Sequence, residues 1–330
     1  NECYEKMLSD KPGPVWLDVP LDIQSKLINT NDIKKFKEKI KPKVEKNINF
    51  KFIEKNIKKS IRPVLVIGNG IHISKSEKLF STFLNIVKIP VISSWNASDI
   101  INTDKKLYVG RMGIFGDRAS NFAIENSDLI IVLGSRLSIP QTGYKTMLFA
   151  QKAKKIIIDI DKKELKRKKF LNTIYRNNTD LNSFFKQAIK YFKNKKINKF
   201  TGWIKLTSYW KRKYPVMQIA YKKDKNNINS FYFMDVLSKC LKGKETIVTD
   251  MGTSFTCTMQ SLKIKNSNNQ RLFTSSGLAA MGFGLPGAIG GYFANKKDNI
   301  ICITGDGGLM FNIQELQTVK GYKIPMKIFV

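Results

Sequence analysis

The sequence predicts an α/β fold with two doubly wound parallel-sheet domains, and three observations lead to this prediction. Short apolar runs recur along the chain, and most of them stop at Gly or Asp, as buried parallel strands do. Stretches typical of helices separate these runs, which is the alternation of βα units. The chain has 330 residues, of which 42% are hydrophobic, enough to bury two cores rather than one.

The first α/β block covers residues 61–190. Its predicted strands are the apolar runs Pro63–Ile67, Val91–Ser94, Asp128–Leu133 and Lys155–Asp161. A helix is predicted over Ser74–Val87, between the first two strands. Upstream we expect a short strand at Val15–Val19, in a domain tail formed by residues 1–30, and then a Lys- and Asn-rich linker with some helix at residues 31–60.

The second α/β block covers residues 229–330. A linker at residues 191–228 precedes it and contains an aromatic-rich helical segment, Trp203–Tyr214. A helix is predicted at Ser230–Leu241. The predicted strands of this block are Thr246–Thr249, Arg271–Phe273, Asn299–Thr304 and Ile324–Val330. The chain opens at Asn1 and its final buried strand is still apolar where it stops, so we expect the sequence to be a fragment.

The net charge of +32 has two interpretations. Lysine is scattered through nearly every segment, and its densest cluster, Lys162–Lys169, lies where a helix should follow a strand. Proteins that bind nucleic acid usually concentrate their charge on one element, so this distribution favours a solvated, lysine-rich surface and no nucleic-acid partner. A non-catalytic protein that binds polyanions stays open as the alternative.

Cysteine, histidine and hydropathy exclude several kinds of site. The four cysteines, Cys3, Cys240, Cys257 and Cys302, are far apart, which is typical of buried thiols in a reducing cytoplasm. The single histidine, His72, excludes metal sites built from several histidines. No apolar run approaches the roughly 18 residues of a membrane span, so we expect no membrane partner.

Three strand ends of the second block carry glycine together with residues that suit a phosphorylated ligand. They are Asp250–Ser254, Gly277–Gly284 with Met281 at its centre, and Gly305–Gly308, in which Asp306 could ligate Mg²⁺. Ligands of open α/β sheets bind beyond the carboxyl ends of the strands. A turn, a core methionine or close helix packing would explain each segment alone, but their joint presence favours a binding site.

These segments resemble a known family. Gly305-Asp306-Gly307-Gly308, followed by Asn312 and Gln314-Glu315-Leu316, resembles the start of the thiamine-diphosphate motif. Ser276–Pro286 (SGLAAMGFGLP) resembles the stretch that holds the thiazolium ring in acetolactate synthases. PVWLDVP at residues 14–20 resembles the end of that family's pyrimidine-binding domain. The sequence is therefore similar, over essentially its whole length, to acetolactate synthase large subunits of the thiamine-diphosphate-dependent enzymes.

The resemblance implies a role for each matched residue. Asp306 would bind Mg²⁺, and backbone amides of Gly307, Gly308 and the segment Gly252–Ser254 would bind the diphosphate. Met281 would lie beneath the cofactor and bend it, while the Ala279 carbonyl would accept a hydrogen bond from the 4′-amino group. The implied cofactor-binding set is Gly252, Thr253, Ser254, Ser276, Gly277, Leu278, Met281, Gly305, Asp306, Gly307 and Gly308.

The implied reaction is decarboxylation of a pyruvate-like 2-oxo acid and carboligation to a second oxo acid. A related decarboxylase or lyase acting on another 2-oxo acid or on a sugar-derived carbonyl is the alternative. The resemblance places the activating glutamate upstream of this sequence and a pair of metal-binding asparagines downstream. The fragment alone should then be inactive, and the complete enzyme should be a homo-oligomer with its site at a subunit interface.

The first block resembles the middle domain that holds FAD in acetolactate synthases. Gly68-Asn69-Gly70, Arg111, Gly134-Ser135-Arg136 and Asp159 occupy plausible nucleotide-facing positions. The charged flavin-binding pattern of that family is absent, because residues 134–141 read GSRLSIPQ. Three interpretations stay open for this domain: bound FAD, another adenine nucleotide, or an empty structural domain.

Overall fold

The computed structural model describes residues 2–9, 11–33, 47–167, 170–197, 199–223, 226–275, 277–295 and 299–330. Within them, ten strands form two sheets. The strands of the first sheet are β1 Pro63–Ile67, β2 Val91–Ser93, β3 Tyr108–Arg111, β4 Leu129–Leu133, β5 Lys154–Asp159 and β6 Thr173–Asn178. The strands of the second sheet are β7 Thr246–Thr249, β8 Arg271–Phe273, β9 Ile300–Ile303 and β10 Met326–Phe329.

Helices connect these strands. Those that precede or flank the first sheet are α1 Glu2–Leu8, α2 Leu21–Gln24, α3 Phe50–Lys59, α4 Gly70–Ile73, α5 Glu77–Val87, α6 Arg118–Glu125, α7 Ile139–Thr142, α8 Lys162–Arg167, α9 Leu181–Phe192 and α10 Thr201–Lys213. Those of the second sheet are α11 Ser230–Cys240, α12 Thr253–Ser261, α13 Gly284–Asn295, α14 Asp306–Phe311 and α15 Glu315–Gly321. No helix of the described residues is long and apolar enough to span a bilayer.

Both sheets are parallel and doubly wound, as predicted. The first has the strand order β3-β2-β1-β4-β5-β6 and the second β10-β9-β7-β8. Every residue of β1, β4, β7 and β9 is buried, because helices cover both faces of each sheet. The strand order reverses between β1 and β4 in the first sheet and between β7 and β9 in the second. Such switch points leave a crevice for ligands at the carboxyl ends of the strands.

An aromatic layer covers one face of the first sheet. Phe83 of α5 packs against Phe184 and Phe185 of α9, with ring centroids 6.1 and 5.6 Å apart. Phe50 of α3 joins the same layer through Phe184, at 5.7 Å. The described end of the predicted linker, residues 47–60, thus contributes α3 to the core of the first sheet.

Two kinds of contact join the sheets. Phe255 of α12 packs edge-on against Trp95 and Phe115, with centroids 5.0 and 5.6 Å apart. Beside this apolar contact, the fully buried carboxylate of Asp99 accepts hydrogen bonds from the Leu272 N–H at 2.9 Å and from the Arg271 guanidinium. The sheets are therefore held by apolar packing and by a buried charged group.

Some local predictions were wrong. Residues 12–20 form no strand, and Trp16 is 91% exposed, because no described strand lies beside this segment to complete a ladder. The expectation of buried thiols holds for Cys257 and Cys302, whereas Cys240 is exposed and Cys3 is partly buried; all four are free. Part of the lysine cluster, residues 168–169, lies outside the described residues.

Candidate active site

The three glycine-bearing loops predicted from the sequence meet at the carboxyl ends of β7 and β9. These strands are hydrogen-bonded neighbours, with Thr249 opposite Ile303, so the residues that follow them emerge side by side. Met251–Ser254 follows β7, and Gly305–Gly308 follows β9. The glycine-rich segment reaches the same edge where α13 begins at Gly284. The topology therefore places all three loops at the β7/β9 switch point.

Asp250 lies at the centre of these loops, and sequence reasoning assigned it no role. Its side chain is 1% exposed and accepts hydrogen bonds from the N–H groups of Met251 at 2.7 Å, Gly282 at 3.1 Å and Gly284 at 3.0 Å. The Thr304 hydroxyl donates to it at 3.2 Å. One buried carboxylate thus connects three loops, and a signal for it existed: an acidic residue that directly follows a fully buried strand.

The loop after β9 presents a carboxylate and free backbone amides. Asp306 is exposed at the first position of α14, where the N–H groups of the first turn have no partner within the helix. The packing of this loop depends on glycine, because a Cβ at Gly308 would lie 2.7 Å from Asp250 Oδ2. At Gly305 a Cβ would meet nothing within 4 Å, so this side of the loop faces open space.

The loop after β7 has a similar form. Gly252 caps α12 with φ +83°, a left-handed conformation that favours glycine, and nothing lies within 4 Å of a Cβ built there. Thr253 is exposed, whereas Ser254 is buried and donates from its hydroxyl to the Met251 carbonyl at 2.9 Å. The backbone of this helix start is open to a ligand, and the Ser254 side chain is occupied within the protein.

The glycine-rich segment brings Met281 to the loop after β9. A Cβ at Gly307 would lie 3.3 Å from Met281 Cε, and the Met281 side chain is 56% exposed. Ala279 has φ +56°, an uncommon conformation for a residue with a side chain. Gly277 and Leu278 are exposed, and Ser276 lies outside the described residues.

A cavity of about 700 Å³ lies between the two sheets beside this segment. Most of its lining is apolar, and Ala279 and Met251 lie at its edge with Trp95, Phe115 and Phe255. Asn121, Gln141 and Thr142 add polar groups to the wall. A small molecule in this cavity would lie next to the predicted cofactor segment.

A larger cavity, of about 1080 Å³, lies at the β1/β4 switch point. Of the residues predicted to face a nucleotide, Gly68 does not line it, whereas the following do: Asn69, Gly70, Gly134, Ser135, Arg136 and Asp159. The loops after β1 and β4 pack backbone to backbone, since the Gly70 N–H donates to the Gly134 carbonyl at 3.0 Å.

The donors and acceptors of the larger cavity fit a polar ligand. Asn69 and Ser135 bring polar side chains to its lining, and Arg136, Lys186 and Asp159 bring charged ones. Such a lining suits a ligand that carries donors and acceptors of its own.

Arg111 does not face the larger cavity, so this part of the nucleotide prediction was wrong. It is 2% exposed and donates from Nη2 to the Leu262 carbonyl at 2.7 Å. The carboxylate of Asp117 accepts from the Arg111 backbone N–H at 2.7 Å. The contact with Leu262 holds the Arg111 guanidinium at the junction of the two sheets.

Comparison with known proteins gives the same assignment for both sheets. Residues 51–176 match the central domain of thiamine pyrophosphate enzymes, and residues 250–330 match the C-terminal thiamine-pyrophosphate-binding domain. The chain belongs to the thiamine pyrophosphate enzyme family. This cofactor is also called thiamine diphosphate, and the second match contains the whole β7/β9 site.

Several family members with sequences similar to this chain are acetolactate synthases. The chain is 30% identical to the acetolactate synthase large subunit of Cyanidium caldarium, over 100% of this chain and 56% of that protein. It is 28% identical to the isozyme 2 large subunit of Escherichia coli K12, over 99% and 57%, and 31% identical to chloroplastic acetolactate synthase 2 of Nicotiana tabacum, over 100% and 49%. The chain thus spans about half the length of these relatives.

Proposed function

We propose that this chain supplies the metal- and diphosphate-binding part of an enzyme that decarboxylates a 2-oxo acid and joins the product to a second oxo acid. The observation that carries the proposal is the meeting of three glycine-bearing loops at the β7/β9 switch point, beside a cavity of about 700 Å³. The similarity to acetolactate synthases supports the choice of reaction.

The loop after β9 would hold the metal and the diphosphate. Asp306 offers an exposed carboxylate, and Mg²⁺ is commonly bound by one or two carboxylates together with phosphate oxygens. The free amides at the starts of α12 and α14 suit the diphosphate, because helix N-termini attract anions. Gly252 and Gly305 leave the approach to these amides open.

The glycine-rich segment would orient the rest of the cofactor. When bound, thiamine diphosphate supplies the nucleophile and accepts the electrons released on decarboxylation. Met281, which lies next to Gly307, would support the cofactor from below, and the Ala279 carbonyl would accept a hydrogen bond from its amino group. The chain's own contribution is therefore to position these groups.

The apolar surface around this site favours a homo-oligomeric enzyme. Leu278 is 89% exposed, and Met310 and Phe311 of α14 are also exposed. Apolar side chains grouped beside a site mark a surface that another protein unit covers. We infer that a pyrimidine-binding domain of a second subunit covers it and supplies the activating glutamate that the resemblance implies.

The proposal is tested with the full-length protein, thiamine diphosphate, Mg²⁺ and ¹³C-labelled pyruvate. We expect NMR to detect CO₂ release and a product with a new carbon–carbon bond between two oxo-acid units. Cofactor binding measured in parallel separates the two parts of the proposal. A protein that binds the cofactor but releases no CO₂ from any of a panel of 2-oxo acids would contradict the proposed reaction.

A larger carbonyl acceptor is the second candidate. Cavities of roughly 300–1,000 Å³ hold drug-sized ligands, so the cavity of about 700 Å³ has room for more than a small oxo acid. A sugar-derived carbonyl or a long-chain oxo acid, added in competition with pyruvate as acceptor, should then yield the mixed product. Exclusive formation of the pyruvate–pyruvate product would reject this candidate.

The cavity at the β1/β4 switch point supports a bound nucleotide, either FAD or another adenine nucleotide. Its volume of about 1080 Å³ and its polar and charged lining favour an occupied site over an empty one. Mass spectrometry of the ligand released when the purified full-length protein is denatured tests this. Release of no nucleotide, together with no binding of added FAD or ADP, would favour the empty domain.

A further inference from the structure

We propose that Asp250 and Asn312 are positioning residues that hold the backbone N–H and the backbone carbonyl of Gly282, respectively, and so fix the location of Met281. Both contacts involve the residue that directly follows Met281. The inference rests on the proposed role of Met281 beneath the cofactor and adds the residues that keep it there.

Asp250 fixes the N–H side of Gly282. Both carboxylate oxygens lie 3.1 Å from the Gly282 nitrogen, and Oδ2 also accepts from Gly284 N–H at 3.0 Å and from the Thr304 hydroxyl at 3.2 Å. Thr304 directly precedes the loop of Asp306. The carboxylate therefore ties the segment after Met281 to the loop that would hold the metal.

Asn312 fixes the carbonyl side of Gly282. Its Nδ2 donates to the Gly282 carbonyl at 2.8 Å, and the Gln314 side-chain amide donates to Asn312 Oδ1 at 3.3 Å. Gly282 has φ +90°, and a Cβ there would lie 2.7 Å from Asn312 Nδ2 and 2.8 Å from Phe311 Cβ. Position 282 thus requires glycine, because Phe311, the last residue of α14, and Asn312 pack against it.

The location of Asp250 indicates positioning rather than contact with the reacting groups. The carboxylate is buried, and its acceptor sites are directed at protein N–H and O–H groups. An amide at this position has one acceptor oxygen and an NH₂ group, so it would place donors opposite the backbone donors of Gly282 and Gly284. Asp250→Asn keeps the shape of the side chain and removes this match.

The test is a double-mutant cycle in the full-length protein. Asp250→Asn and Asn312→Ala should each lower kcat by about 10- to 100-fold, as expected for a misplaced positioning group, with a smaller change in the thiamine diphosphate Kd. In a Met281→Ala background, both changes should have much less effect on kcat, because they act through Met281. Asp235→Asn, which changes a carboxylate paired with Lys239 and Lys263, is the matched control.

Hydrogen exchange without cofactor gives a readout that does not depend on the proposed function. Amides of residues 277–284 should exchange faster in Asp250→Asn and in Asn312→Ala than in the wild-type protein and the control. Unchanged exchange, or effects on kcat that are fully additive with Met281→Ala, would overturn the positioning role. If the two variants exchange faster but the wild-type protein binds no thiamine diphosphate, the proposed function is refuted and the positioning of Gly282 by Asp250 and Asn312 is supported. If Asp250→Asn fails to fold, Asn312→Ala decides, since its side chain is partly exposed.

Discussion

Asp250 and Asp306 follow neighbouring strands of one sheet, yet their surroundings give them different tasks. Asp250 is buried and surrounded by N–H and O–H donors, whereas Asp306 is exposed at the start of α14. A buried carboxylate with several hydrogen-bond donors organises backbone, and an exposed one beside free amides is suited to a metal and an anion. Sequence alone pointed to Asp306 through its glycine neighbours. It assigned no role to Asp250, because all the partners of that residue except the adjacent Met251 N–H come from loops more than thirty residues away.

At the residue scale, Met281→Ala should lower kcat more than it weakens thiamine diphosphate binding. The side chain would shape the bound cofactor, while the diphosphate contacts come from other loops, so affinity is largely retained. Steady-state kinetics and calorimetry on the full-length protein measure the two effects. Met147→Ala, in a partly exposed methionine of the other α/β unit, is the control. An unchanged kcat would exclude the supporting role.

At the element scale, the sequence predicts the central strands and misses those with weaker patterns. β1, β4, β7 and β9 are fully buried apolar runs, and their predicted and observed bounds agree within a residue or two. β6 (TIYRNN) carries polar residues and forms the edge of its sheet, and β3 contains Gly110, so neither gave an apolar run. The strand predicted at Val15–Val19 was wrong. The composition of this segment suits a strand, but no described strand lies beside it to pair with.

Lys155 of β5 gives a second prediction at this scale. Its ammonium donates to the carbonyls of Ala150, Ala153 and Leu171 at 2.7–3.0 Å, and burial lowers its pKa to about 8. Between this value and the pKa of about 10.4 of an unfolded lysine, the unfolded chain binds more protons, so this group adds stability as the pH rises. The free energy of unfolding of the wild-type protein should thus rise by about 2–3 kcal/mol relative to Lys155→Met from pH 7 to pH 10.

Urea unfolding of both proteins across this pH range measures the difference. Lys154→Met changes the preceding, exposed lysine of the same strand and should run parallel to the wild type. Parallel curves for Lys155→Met as well would show that Lys155 has an ordinary pKa in the folded protein.

At the scale of the whole molecule, a charged cluster joins the two sheets. His72 Nδ1 lies 2.7 Å from Glu77 Oε1, and its Nε2 lies 2.8 Å from Asp99 Oδ1, next to Arg271 of β8. Burial alone lowers the pKa of His72, but the hydrogen bonds with Asp99 and Glu77 outweigh it and raise the pKa. The sole histidine of the chain is therefore a contact between the sheets rather than part of the predicted cofactor site.

This cluster predicts a pH-dependent contribution to stability. Since the pKa of His72 is raised on folding, its contribution is fully present below the unfolded pKa of about 6.5 and is lost as the pH rises through the folded value. The melting temperature of the wild-type protein should therefore exceed that of His72→Gln by more at pH 6 than at pH 9. Differential scanning calorimetry at both values checks this, and a difference that grows with pH would contradict it.

The central claim is that the β7/β9 switch point binds thiamine diphosphate through a metal ion held by Asp306. Calorimetric titration of the full-length protein with thiamine diphosphate, with Mg²⁺ and with chelator, tests it most directly. We predict saturable binding by the wild type and by Asp104→Ala, a surface control, only when Mg²⁺ is present, and no measurable binding by Asp306→Ala. Mg²⁺-dependent binding of wild-type strength by Asp306→Ala would contradict the account.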